Sequence, residues 1–332
     1  MRIFRLAVPA LIASAAAFGQ NTAVLQFHFP HSTQSMREIA TTVKYVADVL
    51  ADTDVAGEGK VSIEGKPDGI KLAEWIFNQL DAAAPGAGEM QEFPATGAEN
   101  LVRIYYLRNA ETVQDFQEIA TAVRAVADVR RVYTYNFTRA LVVRTNADQM
   151  ALADWMIGEL DQPVSAHSGG VHAYRMTSGF SYGLSDTRIF YLAHSPTVED
   201  IHEVTTAIRS VADIRQVFAY NKPRALVVRA TPEAMALAAW LVDQLDTMNT
   251  GGPRESSEVY NYQGVGRDDN TAVRVFYLNH AGDKFDFERV AEQVRAATNI
   301  RRVFTYNSPR ALIVRGNTDQ VAMAEQLVQK VE

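Results

Sequence analysis

Apolar residues recur along the chain with the spacing of an amphipathic helix, and the same stripe returns four times. Its members stand at positions i, i+3, i+7 and i+10. Residues three and four apart share one face of an α-helix, so each stripe predicts a helix with one buried side. The stripes are Met36, Ile39, Val43 and Val46; Phe116, Ile119, Val123 and Val126; Ile201, Val204, Ile208 and Val211; and Phe287, Val290, Val294 and Ala297.

Short runs of aromatic and β-branched residues surround the last three stripes and predict strands. In one copy, VRIYYL precedes the helix, and RRVYTYN and RALVVR follow it as a hairpin. The hairpin turn has the form Asn-x-x-Arg, and Pro223 and Pro309 within it favour a turn over a helix. A second helix then begins at Asn146, Thr231 or Asn317, which are residue types that favour a helix N-cap. The predicted element order is therefore β-α-β-β-α.

These elements belong to a sequence repeat. Residues Val102–Asp161 match Thr187–Asp246 at a constant offset of 85, and Val273–Glu332 follow at a further offset of 86. A degenerate copy precedes them, in which LADTDVAGEGKVSIEG replaces the hairpin. We therefore predict an α+β fold, a tandem array of four small βαββα modules with a KH-like element order. They are module 1 (23–81), module 2 (102–161), module 3 (187–246) and module 4 (273–332).

The segments between the modules are predicted to be flexible linkers. Residues 82–101, 162–186 and 247–272 are rich in glycine, serine, alanine and proline. Each segment also holds a short alternating patch, at Met90–Phe93, Val171–Met176 and Val259–Tyr262. Such a patch predicts an additional edge strand for the module that follows it.

The first 19 residues have the pattern of a signal peptide. Arg2 and Arg5 precede an apolar run from Leu6 to Phe18, and the run ends in small residues. No later run is apolar for long enough to cross a membrane as a helix. The chain has no cysteine, which excludes disulfides, and an exported protein without disulfides suits the bacterial periplasm. We predict a periplasmic or secreted protein.

Charge limits the class of partner. The formal net charge is −7, and removal of Arg2 and Arg5 with the signal peptide makes the chain more acidic. An acidic protein repels phosphate backbones, so we predict no nucleic-acid partner.

The sequence has no recognisable catalytic or cofactor-binding motif. His28 and His31 form an H-x-x-H pair, with His194 and His280 aligned to His31. Side chains on a strand alternate between faces, so such a pair does not converge on a metal as it would on a helix. No Ser-His-Asp order or phosphate-binding loop accompanies the pair. We predict no enzyme activity, no metal site and no cofactor.

Arginine recurs at equivalent positions in modules 2, 3 and 4, and two interpretations are open. One is a repeated docking site for carboxylates or other anions, because guanidinium pairs with them in a bidentate way. The other, which we favour, is a scaffold role: pairing within each module with Glu118, Asp128 and their equivalents, and charged edge strands. The positions are Arg103, Arg188 and Arg274; Arg124, Arg209 and Arg295; Arg139, Arg224 and Arg310; and Arg144, Arg229 and Arg315.

Aromatic residues recur on the first strand of the hairpin. Tyr135, Tyr220 and Tyr306 precede the turn asparagine, and an aromatic residue stands two positions earlier in each copy, at Tyr133, Phe218 and Phe304. Residues two apart share one face of a sheet. That face is either a stacking platform for bases or, as we favour, the surface that packs on the helices.

Two further sets of repeated residues are candidates for contacts with partners or between modules. Trp75, Trp155 and Trp240 fall at one position of the second helix, where the last module has Gln326. A tryptophan lost only in the terminal copy indicates a contact between modules, because an end unit needs a polar outer face. The other set consists of the hairpin residues Asn136, Arg139, Asn221, Arg224, Asn307 and Arg310.

Each module also resembles a known family. RALVVRATPEAMALAAWLVDQLD (Arg224–Asp246) and FYLAHSPTVEDIHEVTTAIRSVADI (Phe190–Ile214) resemble the periplasmic N-domains of bacterial secretins, including the NolW-like and secretin–TonB short N-terminal types. The resemblance implies ring-building or protein-docking modules in the periplasmic part of secretion and pilus channels. We expect the pore domain of a secretin to be absent, because the fourth module ends at Glu332.

The function that the sequence favours is a non-enzymatic interaction or assembly scaffold in the cell envelope, related to secretin N-domains and accessory to a secretion or pilus system. Its expected partners are envelope proteins or further copies of itself. The alternative is a periplasmic ligand-binding or hydrolytic protein with its site between modules.

Overall fold

The fold was determined as a computed structural model, which describes residues 21–53, 59–82, 90–166, 170–176, 183–248, 253–262, 271–279, 284–307 and 310–331. The predicted signal peptide, His280 and Pro309 lie outside these residues. The chain divides after Gln162 into two compact units, and each unit is described by itself.

The first unit contains modules 1 and 2. Module 1 is a three-stranded antiparallel sheet with strand order β1-β3-β2 and two helices: β1 (Asn21–Gln26), α1 (Thr33–Val46), β2 (Leu50–Ala51), β3 (Lys60–Gly65) and α2 (Pro67–Leu80). Module 2 is a four-stranded antiparallel sheet with order β4-β5-β7-β6: β4 (Gln91–Pro94), β5 (Leu101–Tyr106), α3 (Val113–Val126), β6 (Arg131–Tyr135), β7 (Ala140–Thr145) and α4 (Ala147–Leu160).

The second unit contains modules 3 and 4, and both have four-stranded antiparallel sheets. Module 3, with order β10-β11-β9-β8, consists of β8 (Gly170–Arg175), β9 (Asp186–Tyr191), α5 (Val198–Val211), β10 (Gln216–Tyr220), β11 (Ala225–Ala230) and α6 (Pro232–Leu245). Module 4, with order β12-β13-β15-β14, consists of β12 (Tyr260–Asn261), β13 (Ala272–Tyr277), α7 (Lys284–Thr298), β14 (Arg302–Asn307), β15 (Arg310–Gly316) and α8 (Thr318–Val331).

The predicted α+β class and the additional edge strands are confirmed. The segments predicted to be flexible linkers contribute β4, β8 and β12, which pair with β5, β9 and β13. The predicted erosion of the first hairpin is also visible, because β2 has only two residues.

Polar side chains fix where the helices begin. The side chains of Thr112 and Thr197 accept the backbone N–H of Asp115 and Asp200. The carboxylates of these aspartates in turn accept the backbone N–H of the threonines, which completes a capping box. The second helices begin as predicted, since Asn146, Thr231 and Asn317 each accept a backbone N–H three residues on.

The predicted apolar stripes are buried with two departures. Met36 is half-buried, and Ala297 is exposed, so that prediction was wrong. The buried end of α7 is instead formed by Thr298, which is 5% exposed. Its hydroxyl donates to the carbonyl of Val294 (2.6 Å), and it also accepts the N–H of Ile300 (3.2 Å). A polar residue is stable there because both of its hydrogen-bonding functions are satisfied.

The aspartate that closes each Leu-Asp pair holds the loop after the first strand of its own module. Asp161 accepts the backbone N–H groups of Arg108 (2.7 Å), Asn109 (2.8 Å) and Ala110 (3.2 Å). Burial raises the pKa of this carboxyl, and the three N–H donors oppose that rise. Asp246 takes the same role in module 3, with the N–H groups of Ala193 and His194 at 2.7 Å.

Asp161→Ala is therefore expected to destabilise the first unit by about 1–2 kcal/mol, because three N–H donors lose their acceptor. Urea denaturation compared with Asp161→Asn measures this, since the amide keeps one acceptor oxygen and should lose less. Equal losses for the two variants would contradict the role assigned to the carboxylate.

Candidate module-docking site

The sheet of module 2 is covered on both faces. All six residues of β7 are buried, although helices α3 and α4 of its own module can pack on one face only. The other face belongs to a single apolar cluster with the core of module 1, and helix α1 packs against β6 and β7. We call this face of the sheet the docking face; in module 2 it consists of Val102, Ile104, Tyr135, Ala140 and Val142.

The second unit repeats the arrangement. Helix α5 of module 3 packs against β14 and β15 of module 4. The docking face of module 4 joins the core of module 3 in one cluster, through Val273, Val275, Tyr277, Tyr306, Ala311 and Ile313. In each unit, the first helix of the leading module thus completes the core beneath the sheet of the module that follows.

The helix that packs against the docking face, α1 in the first unit and α5 in the second, is called the docking helix. A glutamate on this helix binds the hairpin asparagine. In the first unit, Asn136 donates its backbone N–H to Glu38 Oε2 (2.9 Å) and its side-chain Nδ2 to Glu38 Oε1 (2.8 Å). In the second unit, Asn307 donates to Glu203 in the same two ways, with 2.9 Å from its backbone nitrogen. A bidentate contact of this kind fixes the register of the hairpin on the helix.

An arginine of the docking face binds the C-terminal end of the docking helix. Arg144 Nη1 donates to the carbonyl of Val46 (2.5 Å), the last residue of α1, and lies 3.4 Å from Asp48 Oδ2. The final carbonyls of a helix have no hydrogen-bond donor within the helix and carry partial negative charge. A guanidinium supplies the missing donor and also offsets that charge. Asp48 also pairs with Arg131 (2.6 Å).

The same ion pairs recur in the second unit. Arg315 Nη1 donates to the carbonyl of Val211 (2.6 Å), the last residue of α5. Asp213 pairs with Arg315 at 3.2 Å and with Arg302 at 2.7 Å. Asp48 and Asp213 adopt positive φ angles of 57° and 56°, a conformation that ends the helix and that aspartate tolerates better than most residues.

The hairpin residues singled out in the sequence divide by role. Asn136 and Asn307 contact the preceding module, and Asn221 lies at the same hairpin position of module 3. Arg139, Arg224 and Arg310 act within their own modules, where their carbonyls accept the N–H groups of Leu107, Leu192 and Leu278. The Arg139 guanidinium also donates to the carbonyl of Glu111 (3.1 Å).

The remaining repeated arginines have roles within their modules. Arg124, Arg209 and Arg295 donate to the carbonyls of Val132, Val217 and Val303, at 2.8, 3.1 and 3.0 Å, on the strand at the edge of the sheet. Arg103, Arg188 and Arg274 form ion pairs with Glu92, Asp186 and Glu325. Arg144 and Arg315 thus bind carboxylates of the preceding module, whereas these six arginines act within their own modules. Pairing of the repeated arginines with Glu118 and Asp128 stays a prediction.

The tryptophans are half-buried on the second helices. Trp75 of module 1 lies 5.3 Å from Phe93 on β4, and Trp240 of module 3 lies 5.0 Å from Tyr260 on β12, between ring centroids. Phe93 and Tyr260 belong to the edge strand of the following module. Trp155 occupies the equivalent position of α4. That these side chains hold modules or partners together stays a prediction.

The histidine pair takes part in hydrogen bonds with one carboxylate. His28 Nδ1 and His31 Nε2 lie 2.9 and 2.8 Å from the two oxygens of Asp81, and His31 Nδ1 lies 3.2 Å from the Tyr135 hydroxyl. Within the described ranges, no group of three or more metal-binding side chains converges.

The alignment of His194 with His31 was wrong. The strands β1 and β9, and the helices α1 and α5, correspond at an offset of 165, which places Pro196 opposite His31.

Sequence reasoning did not find that the acceptors Glu38, Asp48, Glu203 and Asp213 bind the following module. Glu203 and Asp213, the equivalents of Glu118 and Asp128, were expected to pair with arginines of their own module, yet they contact Asn307 and Arg315 of module 4. A signal was present, because the last module has Arg289 and Asn299 at the corresponding positions. Like the tryptophan, a carboxylate that is absent only from the terminal copy indicates a contact between modules.

Two tyrosines at the docking faces make the stability of the units depend on pH. Tyr135 and Tyr306 are fully buried, and burial raises the pKa of each to about 12. Because the unfolded phenol titrates near 10, the unfolded chain loses its protons first as the pH rises. The stabilisation is thus complete below about pH 10 and is lost as the pH rises through about 12.

Between pH 9 and 11, each tyrosine should cost its unit about 1 kcal/mol of unfolding free energy. Urea denaturation at the two pH values tests this, with Tyr135→Phe and Tyr306→Phe as variants that remove the titrating group. If the phenylalanine variants lose as much stability as the parent chain, other groups carry the alkaline transition.

An open groove of about 1,180 Å³ lies between modules 1 and 2. Module 1 contributes Lys44, Tyr45 and Lys66 to its lining, and module 2 contributes Phe93 and Arg144.

Across the residues that the structure describes, no helix is long and apolar enough to cross a membrane.

The fold and the site together define a class: α+β modules joined in pairs by docking a sheet onto a helix. No family model matches the chain, and no curated protein matches it. Solved structures similar to the chain are secretins and secretin N-terminal domains, the family that the sequence motifs resemble.

Among these structures, Aeromonas hydrophila ExeD is 15% identical with a TM-score of 0.17, over 90% of this chain and 60% of ExeD. The N-terminal domain of the secretin XcpQ from Pseudomonas aeruginosa is 18% identical with a TM-score of 0.19, over 51% of this chain and 72% of that domain. A chain of the ETEC pilotin–secretin AspS–GspD complex is 17% identical with a TM-score of 0.17, over 71% of this chain and 38% of its own length. This chain thus spans less than two thirds of ExeD and of the AspS–GspD chain.

Proposed function

We propose that this chain is a non-enzymatic interaction scaffold of the cell envelope, which binds protein partners or assembles with further copies of itself. The observation that supports this most directly is the repeated docking site. Two separate units join their modules with the same residue types at equivalent positions, Glu38 with Asn136 and Glu203 with Asn307. Modules built to be covered by another module are suited to assembly.

The proposed location is the periplasm, and the proposed setting is an accessory role in a secretion or pilus system. The support is the signal-peptide pattern of residues 1–19 and the resemblance to secretin N-domains. Cell fractionation of the full chain should place it in the periplasm, and a chain without residues 2–19 should stay in the cytoplasm.

Sedimentation of the mature chain over a range of concentrations, together with capture of proteins from envelope extract, tests the function. An unrelated periplasmic protein of similar net charge is the control, because an acidic chain can retain basic proteins without specificity. We expect association with itself or with a defined envelope protein that persists at 0.5 M salt. A strict monomer that retains no envelope protein would overturn the proposal.

The groove between modules 1 and 2 favours a second candidate, a periplasmic ligand-binding protein. The groove is lined by four cationic side chains, Lys44, Lys66, Lys71 and Arg144, and by three carboxylates, Asp48, Glu64 and Asp68. The excess of cations, together with the ring of Phe93, suits a small anion with an apolar part. A thermal-shift screen of aromatic and aliphatic carboxylates tests this candidate. A shift that is lost in Lys66→Ala would support it, and no shift with any of them would remove it.

A further inference from the structure

The outer edge of the module 3 sheet differs from the corresponding edges of modules 2 and 4. Strand β8 has six residues, whereas β4 has four and β12 has two. Five of the six β8 residues are exposed, and Tyr174 is half-buried. In the part of the chain that the structure describes, β8 pairs with β9 and with no other strand.

The backbone groups that β8 turns outward follow from its register. Met176 donates its N–H to Ser185 (3.0 Å), so alternate residues back from Met176 form the hydrogen-bonded pairs with β9. The N–H and C=O groups of Val171, Ala173 and Arg175 therefore point away from the sheet. No hydrogen bond among the described residues reaches them.

The same reasoning shows that the other two edges are closed to a new strand. Ala95 donates to Asn100, so the outward residues of β4 are Glu92 and Pro94, and proline has no N–H to donate. Tyr262 donates to Thr271, which leaves only Asn261 outward on β12. Natural sheets shorten their edges or place proline there to prevent pairing with another chain, and β8 has neither protection.

We propose that β8 is a strand-addition site and that its occupant is β8 of a second copy of this chain. The proposal rests on the assembly function proposed above and identifies the surface through which two copies would associate. The two strands would run antiparallel about Ala173, so that Ala173 faces its own counterpart and Val171 faces Arg175 of the other copy. This register joins two four-stranded sheets into one sheet of eight strands.

The sequence of β8 is compatible with itself in this register. Arg175 is the only lysine, arginine, aspartate or glutamate within Gly170–Arg175, and it meets valine and not another arginine. At about 3.4 Å per residue, the two Arg175 side chains lie about 14 Å apart along the strands, beyond the screening length in physiological salt. The methyl group of Ala173 leaves room at the centre, and His172 meets Tyr174 on the other face.

An edge contact of six residues is small, so the pairing should be weak for an isolated pair of chains and strengthened within an assembly. Stable interfaces bury about 1,200–2,000 Å², which a pair of short strands does not reach. Concentration-dependent dimerisation is therefore expected rather than a permanent dimer.

Crosslinking of the full mature chain tests the register directly, because the chain has no cysteine of its own. Two Ala173→Cys residues in a hydrogen-bonded antiparallel pair would have Cα atoms about 5.5 Å apart, which a disulfide can span. Val171→Cys is the matched control, since its counterparts would lie about 14 Å apart. We expect mild oxidation to give at least about tenfold more disulfide-linked homodimer with Ala173→Cys.

A second variant separates this inference from the proposed function. Ala173→Pro removes an N–H that points outward and leaves the bonds to β9 intact, so the chain should fold and its dissociation constant for self-association should rise at least about tenfold. Equal crosslinking of the two cysteine variants, or unchanged self-association of Ala173→Pro, would overturn the β8 site and leave the assembly function standing. A disulfide of Ala173→Cys to a different envelope protein would overturn the second copy as the occupant. A parent chain that neither associates nor binds an envelope protein would overturn both proposals.

Discussion

Val142→Asp is expected to separate module 2 from module 1. Val142 is fully buried in the docking face and belongs to the apolar cluster that spans the two modules. A carboxylate at this position would be surrounded by apolar side chains, and an unpaired buried charge costs several kcal/mol. We expect the first unit to lose about 4 kcal/mol or more of unfolding free energy, or to keep its modules folded but undocked.

Two measurements distinguish these outcomes. Denaturation followed by tryptophan fluorescence gives the loss of stability, and limited proteolysis within residues 82–101 reports undocking of folded modules. Val24→Asp is the matched control, because Val24 is 50% exposed on β1 and the same change there should cost less than about 0.5 kcal/mol. If the two aspartate variants behave alike, the docking face does not hold the modules together.

Ile313→Asp repeats the test in the second unit. Ile313 is fully buried in the docking face of module 4, within the cluster that includes the module 3 core. A similar loss there would establish that the two units share one mode of assembly. A much smaller loss would limit the docking role of the sheet to the first unit.

The local structure could be predicted from the sequence because its causes are local. Helical stripes, N-cap residues such as Asn146, and the Asn-x-x-Arg turn act within a few residues of themselves. The four copies reinforced each prediction, since a stripe that returns four times is not an accident of composition. Even so, Ala297 was placed wrongly: the helix buries Thr298, whose hydrogen bonds are satisfied, and exposes Ala297.

The docking site could not be predicted from the sequence, because its partners are far apart and belong to different modules. Glu38 and Asn136 are 98 residues apart in the sequence. A sequence repeat shows that the modules are alike, but it does not show which of their faces pack together. Tyr135 illustrates the limit. Packing of its face on helices was the favoured interpretation, yet the helix that packs against its strand from that side is α1 of the preceding module.

The edge strands within the linkers could be predicted because the alternating patches are local signals. Glycine and proline are frequent in residues 82–101, 162–186 and 247–272, yet each segment supplies the strand that its patch predicts. A strand at the edge of a sheet has one neighbour and tolerates such residues, as Pro94 does at the end of β4. A linker composition is therefore compatible with an edge strand inside the segment.

Arg144→Ala is expected to have the second-largest effect, about 2–4 kcal/mol on the unfolding of the first unit. Its guanidinium is 10% exposed and binds the carbonyl of Val46 at the end of α1. Burial and the nearby Arg131 lower the pKa of Arg144, and Asp48 and Glu99 oppose this. Alanine would leave the carbonyl of Val46 with only the long bond from Arg131 (3.5 Å), and Asp48 with Arg131 alone. It would also remove the bonds that Arg144 donates to the carbonyls of Glu99 (3.1 Å) and Thr96 (3.4 Å).

Arg124→Ala is the matched control, because this arginine also donates to a carbonyl, that of Val132, but within its own module and from an exposed position. Its removal should cost less than about 1 kcal/mol. Arg315→Ala should destabilise the second unit as Arg144→Ala destabilises the first, since Arg315 is buried and binds Val211 in the same way. Urea denaturation of the three variants decides the matter: a loss for Arg144→Ala no larger than that for Arg124→Ala would mean that apolar packing alone joins the modules.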